Sequence, residues 1–337
     1  MNPRVNDDPG TASTQADDIR ELLIASKSVL VVSHIEPDGD ALGTVLAFGA
    51  YLKDLGKNVL MVADSNVPDK YRFLAHSSDI KSAGTLQSNE HFDTAVILEC
   101  PNTSRIGSAV KFLSDDTVII NVDHHRDNTG FGRINWVNTK ASSVGEMAYE
   151  YFRHVAYQPS AEVAEQLYTA ILTDTGRFRF SSTSARTMGI AGELMEAGAD
   201  PRRICDHVYF NVLPSTMKLT GRVLNTIEFY NEGKFCLLSL TKQMFSECGA
   251  HESESDGLVD YTLFGKGVLA GALLKEVDST RTKLSLRSSN GIDVSKIASR
   301  FGGGGHFNAA GCSIPFELRE AREEIVRLFA EALRDVA

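Results

Sequence analysis

The feature that most constrains the fold is a set of four short apolar segments in the first half of the chain. Each has the length of a buried strand and ends at polar residues. They cover residues 29–33, 58–64, 94–100 and 117–125. Helical patterns follow at residues 41–56, near 142–156 and near 160–174. Apolar strands that alternate with helices predict an α/β fold, with a mainly parallel sheet and helices on both of its faces.

The second half of the chain predicts a smaller α/β domain. Residues 191–219 contain helical patterns broken by Pro201 and Pro214, which is typical of a connector. Three strand patterns, a helix, a glycine-rich segment and a terminal amphipathic helix come after it. We therefore predict a disordered polar tail at residues 1–17, a first domain at 18–190, a connector at 191–219 and a second domain at 220–337.

Composition narrows the class of protein. No apolar run approaches the roughly 20 residues that span a bilayer, and the polar N-terminus lacks the apolar core of a signal peptide. We therefore expect a cytoplasmic protein. The five cysteines form no CxxC pair, which argues against a zinc knuckle or a disulfide framework. A formal net charge of −10 favours a small anionic substrate in a local pocket over long duplex nucleic acid.

Side chains suited to metal binding follow three of the strand patterns and one helix pattern. Because the carboxyl ends of parallel strands meet at one edge of a sheet, we expect these side chains to lie together. Imidazole and carboxylate groups suit Mn²⁺, and carboxylates that point different ways suit two ions. Side chains alternate along a strand, so His124 and His125 would face different partners, a metal and a substrate. The candidates are His34, Asp38, Asp40, Glu99, Asp123, His124, His125 and Asp174.

Turn chemistry is the alternative explanation for part of this set. Asp38 with Gly39 fits a turn, and Asp174 before Thr-Gly could cap one. A turn does not explain why His34 and Asp40 flank it on the same loop.

A run of glycines marks the second domain. Gly302–Gly305 precede His306, and such a run costs backbone entropy, which favours a backbone that approaches another group closely. Successive exposed N–H groups at Gly303, Gly304 and Gly305 would form an anion-binding nest. Arg287 and Ser288, in the strand pattern before it, are natural partners for a phosphate or nucleotide. A flexible linker is the alternative, but small apolar residues follow at once.

The motifs occur in a specific order: HxxxDGD, a carboxylate at a strand end, DHH, Asp-Thr-Gly and GGGGHxxAAG. This order resembles the DHH phosphoesterase superfamily, and the glycine-rich half resembles its DHH-associated domain. The resemblance covers roughly residues 18–337. Within the superfamily, the length and architecture resemble the bifunctional oligoribonuclease and pAp phosphatase branch, the nanoRNases. The resemblance to this branch implies two activities. One is hydrolysis of very short RNA or DNA oligonucleotides to mononucleotides, and the other is hydrolysis of 3′-phosphoadenosine 5′-phosphate (pAp) to AMP and phosphate.

The resemblance also implies roles for individual residues. Glu99 aligns with an aspartate that bridges two cations in the family, and its extra methylene is a departure. Asp123 would orient His124, and His125 would contact the scissile phosphate. The metal ligands would be His34, Asp38, Asp40, Glu99, His124 and Asp174. These residues would bind two divalent cations, with Mn²⁺ favoured over Mg²⁺ or Co²⁺. The cations would activate a water molecule and stabilise the attacking and leaving oxygens.

The implied substrate site lies in the second domain, with the active site in a cleft between the domains. Arg287 and His306, with Ser288 and Gly303–Gly305, would hold the far phosphate or base of the substrate. The sequence leaves open whether the chain is a monomer or a homodimer.

Several rivals share part of this pattern. A family II inorganic pyrophosphatase would carry a different second domain, and a RecJ-type exonuclease would need a longer chain. A membrane cyclic-di-AMP phosphodiesterase would need transmembrane segments. A soluble cyclic-di-AMP or pApA phosphodiesterase stays open. A nucleotide-binding sensor with an inactive first domain is favoured by Glu99 alone.

Overall fold

The structure is a computed structural model and describes residues 9–87, 90–289 and 291–334. The chain divides into two compact units between Asn211 and Val212. This division lies inside residues 191–219, the region that the sequence predicts to be a connector.

The first unit contains a six-stranded sheet in which every strand pairing is parallel, and this confirms the predicted sheet. The strand order is β3-β2-β1-β4-β5-β6, so the direction of winding reverses between β1 and β4. In such sheets, ligands bind beyond the carboxyl ends of the strands at this reversal. The strands are β1 (Ser28–Val32), β2 (Asn58–Ala63), β3 (Lys81–Ser82), β4 (Thr94–Leu98), β5 (Val118–Asp123) and β6 (Ile134–Val137). Strands β3 and β6 were not predicted from the sequence patterns.

Both faces of this sheet are covered. Val29 and Val31 of β1 belong to a core cluster that includes residues of the α-helices. Leu30 and Val32 alternate with them and face a second cluster, which a 3₁₀ segment at Thr103–Phe112 covers. The helices are α1 (Pro9–Ala25), α2 (Gly39–Asp54), α3 (Val144–His154), α4 (Ala161–Asp174), α5 (Ala185–Glu196) and α6 (Pro201–Tyr209).

Helix α1 covers residues 9–17 and corrects the prediction of a disordered tail for that part of residues 1–17. It begins at Pro9, and residues 1–8 lie outside the described part of the chain. Ala16, Ile19 and Leu23 are buried in the first core cluster. They recur at the three- and four-residue spacing of one helix face, so burial of that face favours a helix where local composition alone indicates a tail.

The second unit contains a mixed sheet of order β11-β12-β10-β9-β8-β7, in which the β8–β9 pair is parallel. The strands are β7 (Glu228–Tyr230), β8 (Phe235–Leu240), β9 (Ala270–Asp278), β10 (Arg281–Ser288), β11 (Gly304–Gly305) and β12 (Ala309–Ile314). The helices are α7 (Pro214–Leu224), α8 (Lys242–Cys248), α9 (Val294–Ser299) and α10 (Leu318–Ala332). Pro201 and Pro214 stand at the first positions of α6 and α7, where the missing N–H of proline costs nothing.

The rings of Phe235 and Phe329 stack with centroids 4.1 Å apart, which fixes α10 against the second sheet. In the described residues of both units, no helix is long and apolar enough to cross a membrane.

Candidate metal centre

The loop after β1 carries three candidate ligands and leads directly into α2. Asp38 caps this helix: its Oδ1 accepts the backbone N–H groups of Asp40 and Ala41 at 3.0 and 3.1 Å. Asp is among the residues that favour this position. Asp38 therefore does serve the local turn, but the cap uses one carboxylate oxygen, which is compatible with metal binding by the other. The capped loop places His34 at the strand end and Asp40 in the first helical turn.

Close packing of α2 against α4 brings Asp174 to this loop. A Cβ atom at Gly39 would lie 2.4 Å from Thr173 Oγ1, and one at Gly43 would lie 2.3 Å from the carbonyl oxygen of Gln166. Glycine at these two positions therefore permits the close approach. Asp174 is the last residue of α4, so the approach places its carboxylate beside the first turn of α2.

Asp40 is fully buried and held by backbone groups. Its two oxygens accept the N–H groups of Val144 and Gly145 at 2.7 and 2.8 Å, in the first turn of α3. Burial raises the pKa of Asp40, and the neighbouring Asp174 carboxylate raises it further. Burial also raises the pKa of Asp174 to about 6, although His124 opposes this shift. The carboxylates are thus crowded in a setting that a cation would stabilise.

Glu99 and His34 form the closest contact of the site. Glu99 directly follows β4, is almost fully buried, and has a backbone φ of 55°, in the left-handed region that non-glycine residues seldom adopt. Its Oε2 contacts Nε2 of His34, whose Nδ1 lies 2.6 Å from the carbonyl oxygen of Ile35. Burial lowers the pKa of His34, but the Glu99 carboxylate outweighs this and raises it to about 10.

The ring of His124, like that of His34, is oriented by a contact between its Nδ1 and a backbone carbonyl oxygen. Its Nδ1 lies 3.2 Å from the carbonyl oxygen of Ala141, and its Nε2 lies 3.4 Å from Asp174 Oδ2 and 3.9 Å from Glu99 Oε1. An imidazole whose Nδ1–H donates to a carbonyl presents a lone pair at Nε2, which is the common arrangement of metal-binding histidines. The sequence could not indicate these two carbonyl groups, because any residue type supplies them.

Asp123, which was predicted to orient His124, contacts the backbone of His124 and the ring of His125. Its Oδ1 lies 2.7 Å from His125 Nδ1 and accepts the backbone N–H of His124 at 2.9 Å. Burial raises the pKa of Asp123, but its contact with His125 outweighs this and lowers it. An ionised carboxylate can only accept, so Nδ1 of His125 carries the proton and Nε2 faces the site.

Within the first unit, the candidate ligand atoms form two groups. In each group the candidate atoms lie within 4.8 Å of one another, and Glu99 borders both. In each, a histidine whose Nδ1 contacts a carbonyl oxygen directs Nε2 at a carboxylate. Once it has lost its Nε2 proton, each histidine presents a lone pair toward a carboxylate, and a divalent cation would fit between two such groups in place of the proton. The donor set therefore fits the implied metal ions. The groups are His34, Asp38 and Glu99, and Asp40, His124 and Asp174.

In the second unit, Arg287 and Ser288 differ in orientation. Arg287 is partly exposed, and its Nε donates to Asp260 Oδ1 at 2.8 Å. Ser288 is buried, and its hydroxyl donates to the carbonyl oxygen of Ile292 at 2.7 Å. This corrects the prediction that Ser288 contacts the substrate: it holds the following loop, because alternate residues of a strand face opposite sides.

The glycine run also differs from the predicted nest. Gly304 and Gly305 form β11 and pair with β12. The N–H groups of Gly302 and Gly303 donate to carbonyls at the end of α9, and that of His306 donates to Ala309. A Cβ atom at Gly303 would lie 2.2 Å from the carbonyl oxygen of Gly311. Gly303 therefore serves close backbone packing, and its N–H is already paired with the carbonyl of Ala298.

Comparison with known proteins identifies the family. The profile of the DHH family, N-terminal domain, matches residues 28–172, and that of the DHHA1 domain matches residues 235–335. The bifunctional oligoribonuclease and PAP phosphatase NrnA of Thermus thermophilus is 31% identical over 90% of this chain and 90% of its own length. This chain belongs to the DHH family. The DHHA1 match confirms that the glycine-rich half is the DHH-associated domain.

Other proteins similar to this DHH-family chain agree. The bifunctional oligoribonuclease and PAP phosphatase NrnA of Bacillus subtilis is 25% identical over 85% of this chain and 89% of its own length. The crystal structure of an exopolyphosphatase-related protein from Bacteroides fragilis superposes with a TM-score of 0.89 and 28% identity, and covers 96% of this chain and 98% of its own.

Proposed function

We propose that this DHH-family chain is a metal-dependent phosphoesterase that hydrolyses very short oligonucleotides to mononucleotides, and pAp to AMP and phosphate. The observation that carries the proposal is the pair of ligand groups that Glu99 joins, in which His34, Glu99, Asp40 and His124 are buried. Two relatives that match most of the chain are named as bifunctional oligoribonucleases and PAP phosphatases, which supports the substrate class.

The donor set supports two cations, and mixed imidazole and carboxylate ligands favour Mn²⁺, with Mg²⁺ and Co²⁺ as alternatives. Such ions lower the pKa of water and stabilise the attacking and leaving oxygens of a phosphoester. They would be held by His34, Asp38 and Glu99, and by Asp40, His124 and Asp174.

The protein groups around these ligands orient the substrate. His125 keeps its proton on Nδ1, against Asp123, and directs Nε2 into the site. We infer that this edge of the ring contacts the scissile phosphate and stabilises its developing charge. In the reaction, a water oxygen bonds to phosphorus, the phosphoester P–O bond breaks, and the leaving oxygen takes up a proton. No side-chain nucleophile is required.

The second unit supplies the groups for the rest of the substrate. Arg287 is held by Asp260 on the exposed side of β10, where a guanidinium can form paired hydrogen bonds to a phosphate. Together with His306 it would bind the far phosphate or base. Ser288 is no longer part of this set, because its hydroxyl is buried.

A direct assay separates this function from its alternatives. Metal-stripped and Mn²⁺-loaded protein are incubated with pAp, a dinucleotide, pApA and cyclic-di-AMP, and the released phosphate and mononucleotides are measured. The proposal expects metal-dependent turnover of pAp and the dinucleotide. Turnover of cyclic-di-AMP and pApA alone would assign the alternative phosphodiesterase. Binding without turnover of any compound would assign a nucleotide sensor.

A further inference from the structure

Two buried asparagines connect the Asp123 carboxylate to the backbone at the end of β4. The side-chain nitrogen of Asn128 donates to Asp123 Oδ2 at 2.6 Å and to Asn121 Oδ1 at 2.8 Å. Asn121, in β5, donates in turn to the carbonyl oxygens of Ile97 and Cys100 at 3.2 and 3.1 Å. A chain of hydrogen bonds therefore leads from the fixed strand end to this carboxylate.

The contacts of Asn128 define the orientation of its amide. Its nitrogen faces three oxygen acceptors, of which the Cys100 carbonyl is the most distant at 3.4 Å, while its Oδ1 accepts the backbone N–H of Gly130 at 2.8 Å. The reversed amide would place an oxygen against the oxygens of Asp123 and Asn121, and a nitrogen against a donor. Only one orientation satisfies the inventory of donors and acceptors.

The two oxygens of Asp123 have separate tasks. Oδ1 contacts both histidines that follow it, at the backbone N–H of His124 and at Nδ1 of His125. Oδ2 receives the donor from Asn128. Asp123 is fully buried and Asn128 nearly so, where loss of one donor leaves a carboxylate oxygen unsatisfied and costs more than an exposed contact. The amide thus limits rotation of the carboxylate that holds the His125 ring.

We propose that Asn128 is a positioning residue, which fixes the Asp123 carboxylate and through it the ring of His125. The Asn128 side chain hydrogen-bonds to Asp123, to Asn121 and to the backbone, and its contribution is the direction in which His125 Nε2 points. The role in catalysis rests on the proposed function, whereas the role in holding the ring does not. The competing explanation is that Asn128 merely supports the loop through Gly130.

One substitution separates these explanations. Asn128→Asp keeps an oxygen that can accept the N–H of Gly130 but replaces the donor toward Asp123 with a second carboxylate. Asn128→Ala removes both contacts. Asn135→Ala is the matched control, because the Asn135 side chain holds its own loop through Gly132 at 2.8 and 2.6 Å. If loop support were the role, Asn128→Asp would behave like the wild type.

The first readout needs neither metal nor substrate. In metal-free protein labelled with ¹⁵N-histidine, the Nδ1–H resonance of His125 is assigned by its disappearance in His125→Ala. We expect this resonance in the wild type and in Asn135→Ala, and its loss or exchange broadening in Asn128→Ala and Asn128→Asp. A wild type without the resonance, or Asn128 variants that retain it unchanged, would overturn the proposal.

The second readout is kinetic. Asn128→Ala and Asn128→Asp should lower kcat by roughly 10- to 100-fold, as loss of groups that orient a site does, with KM nearly unchanged. In a His125→Ala background the same substitutions should have no further effect, because they act through that ring. Thermal unfolding confirms that each variant is folded. Losses that multiply, or a rise in KM alone, would refute the assignment. Absence of turnover in the wild type would refute the proposed function and leave the resonance test standing.

Discussion

Glu99 Oε1 lies 3.8 Å from Nε2 of His125, so the carboxylate that joins the two ligand groups also borders the histidine proposed to contact the substrate. Its other oxygen contacts His34. The left-handed backbone conformation of Glu99 costs about 1–3 kcal/mol. Strain of this kind persists where the surrounding structure imposes it, and here it directs the carboxylate into the site.

Substitution of Glu99 tests its position between the groups. Glu99→Gln keeps the size of the side chain but removes a charge that we propose two cations share, so kcat should fall by more than about tenfold. Glu99→Asp keeps the charge and should retain substantial activity. The measurements are kcat and the metal content of the purified variants. An unchanged rate and metal content in Glu99→Gln would show that this residue is not a ligand.

Metal removal should affect both activity and stability. EDTA should abolish turnover and Mn²⁺ should restore it. Because a cation binds the folded site and offsets its crowded carboxylates, Mn²⁺ at 100 times its Kd should stabilise the fold by about 2.7 kcal/mol. Thermal unfolding with and without Mn²⁺ measures this shift.

Two variants serve as controls for the metal shift. Asp174→Asn removes a candidate ligand and should lose most of the Mn²⁺-dependent rise in Tm. His125→Ala removes a neighbouring group that we propose to contact the substrate and not the metal, and it should keep the Mn²⁺-dependent rise. Full turnover by metal-stripped protein, or an equal shift in both variants, would contradict the metal centre.

The sequence was sufficient to predict which side chains gather in the first unit. His34, Glu99 and Asp123 each lie at or just past the end of an apolar strand, and parallel strands bring their carboxyl ends to one edge. Asp174 belongs to a helix, and its approach depends on contacts at Gly39 that no pattern along the chain reveals.

The sequence patterns did not predict the direction of individual side chains or the hydrogen bonding of the backbone in the second unit. Ser288 was predicted, together with Arg287, as a partner for a phosphate or nucleotide, but the two side chains face opposite sides of β10. Successive glycines predicted exposed N–H groups, whereas those of Gly302 and Gly303 pair with carbonyls from α9. In both cases, the hydrogen-bond partners of the residue depend on how the backbone folds around it. Residue type alone does not specify those partners.

The correction at α1 leads to a stability prediction. Ile19 is almost fully buried and Ile24, on the same helix, is 54% exposed. Ile19→Ala should lower the free energy of unfolding of the first unit by about 2–5 kcal/mol, because it removes buried methyl groups and leaves a cavity. Ile24→Ala should change it little. Urea unfolding followed by circular dichroism measures both, and equal effects would show that α1 does not dock through this face.

The last prediction concerns how the second unit selects substrates. Arg287→Ala should raise KM for dinucleotides and pAp by roughly 10- to 100-fold, which corresponds to loss of a charge-assisted hydrogen bond. Some loss of kcat should accompany it, because remote binding also positions the reacting phosphate. Hydrolysis of bis-p-nitrophenyl phosphate should change far less, since that compound offers Arg287 no second phosphate or base.

Matched variants and a series of RNA lengths decide between end recognition and processive degradation. Arg281 lies in the same strand as Arg287 and pairs with Asp278, so Arg281→Ala controls for the loss of any β10 arginine. His306→Ala should resemble Arg287→Ala.

The measurement is kcat/KM for RNAs of two, five and fifteen nucleotides. If the second unit grips one terminal group, wild-type kcat/KM should fall with length, and the two binding-site variants should lose most on the shortest RNA. A fifteen-nucleotide RNA as the best wild-type substrate, or equal losses on generic and specific substrates, would instead indicate a processive exonuclease whose second unit binds along the strand.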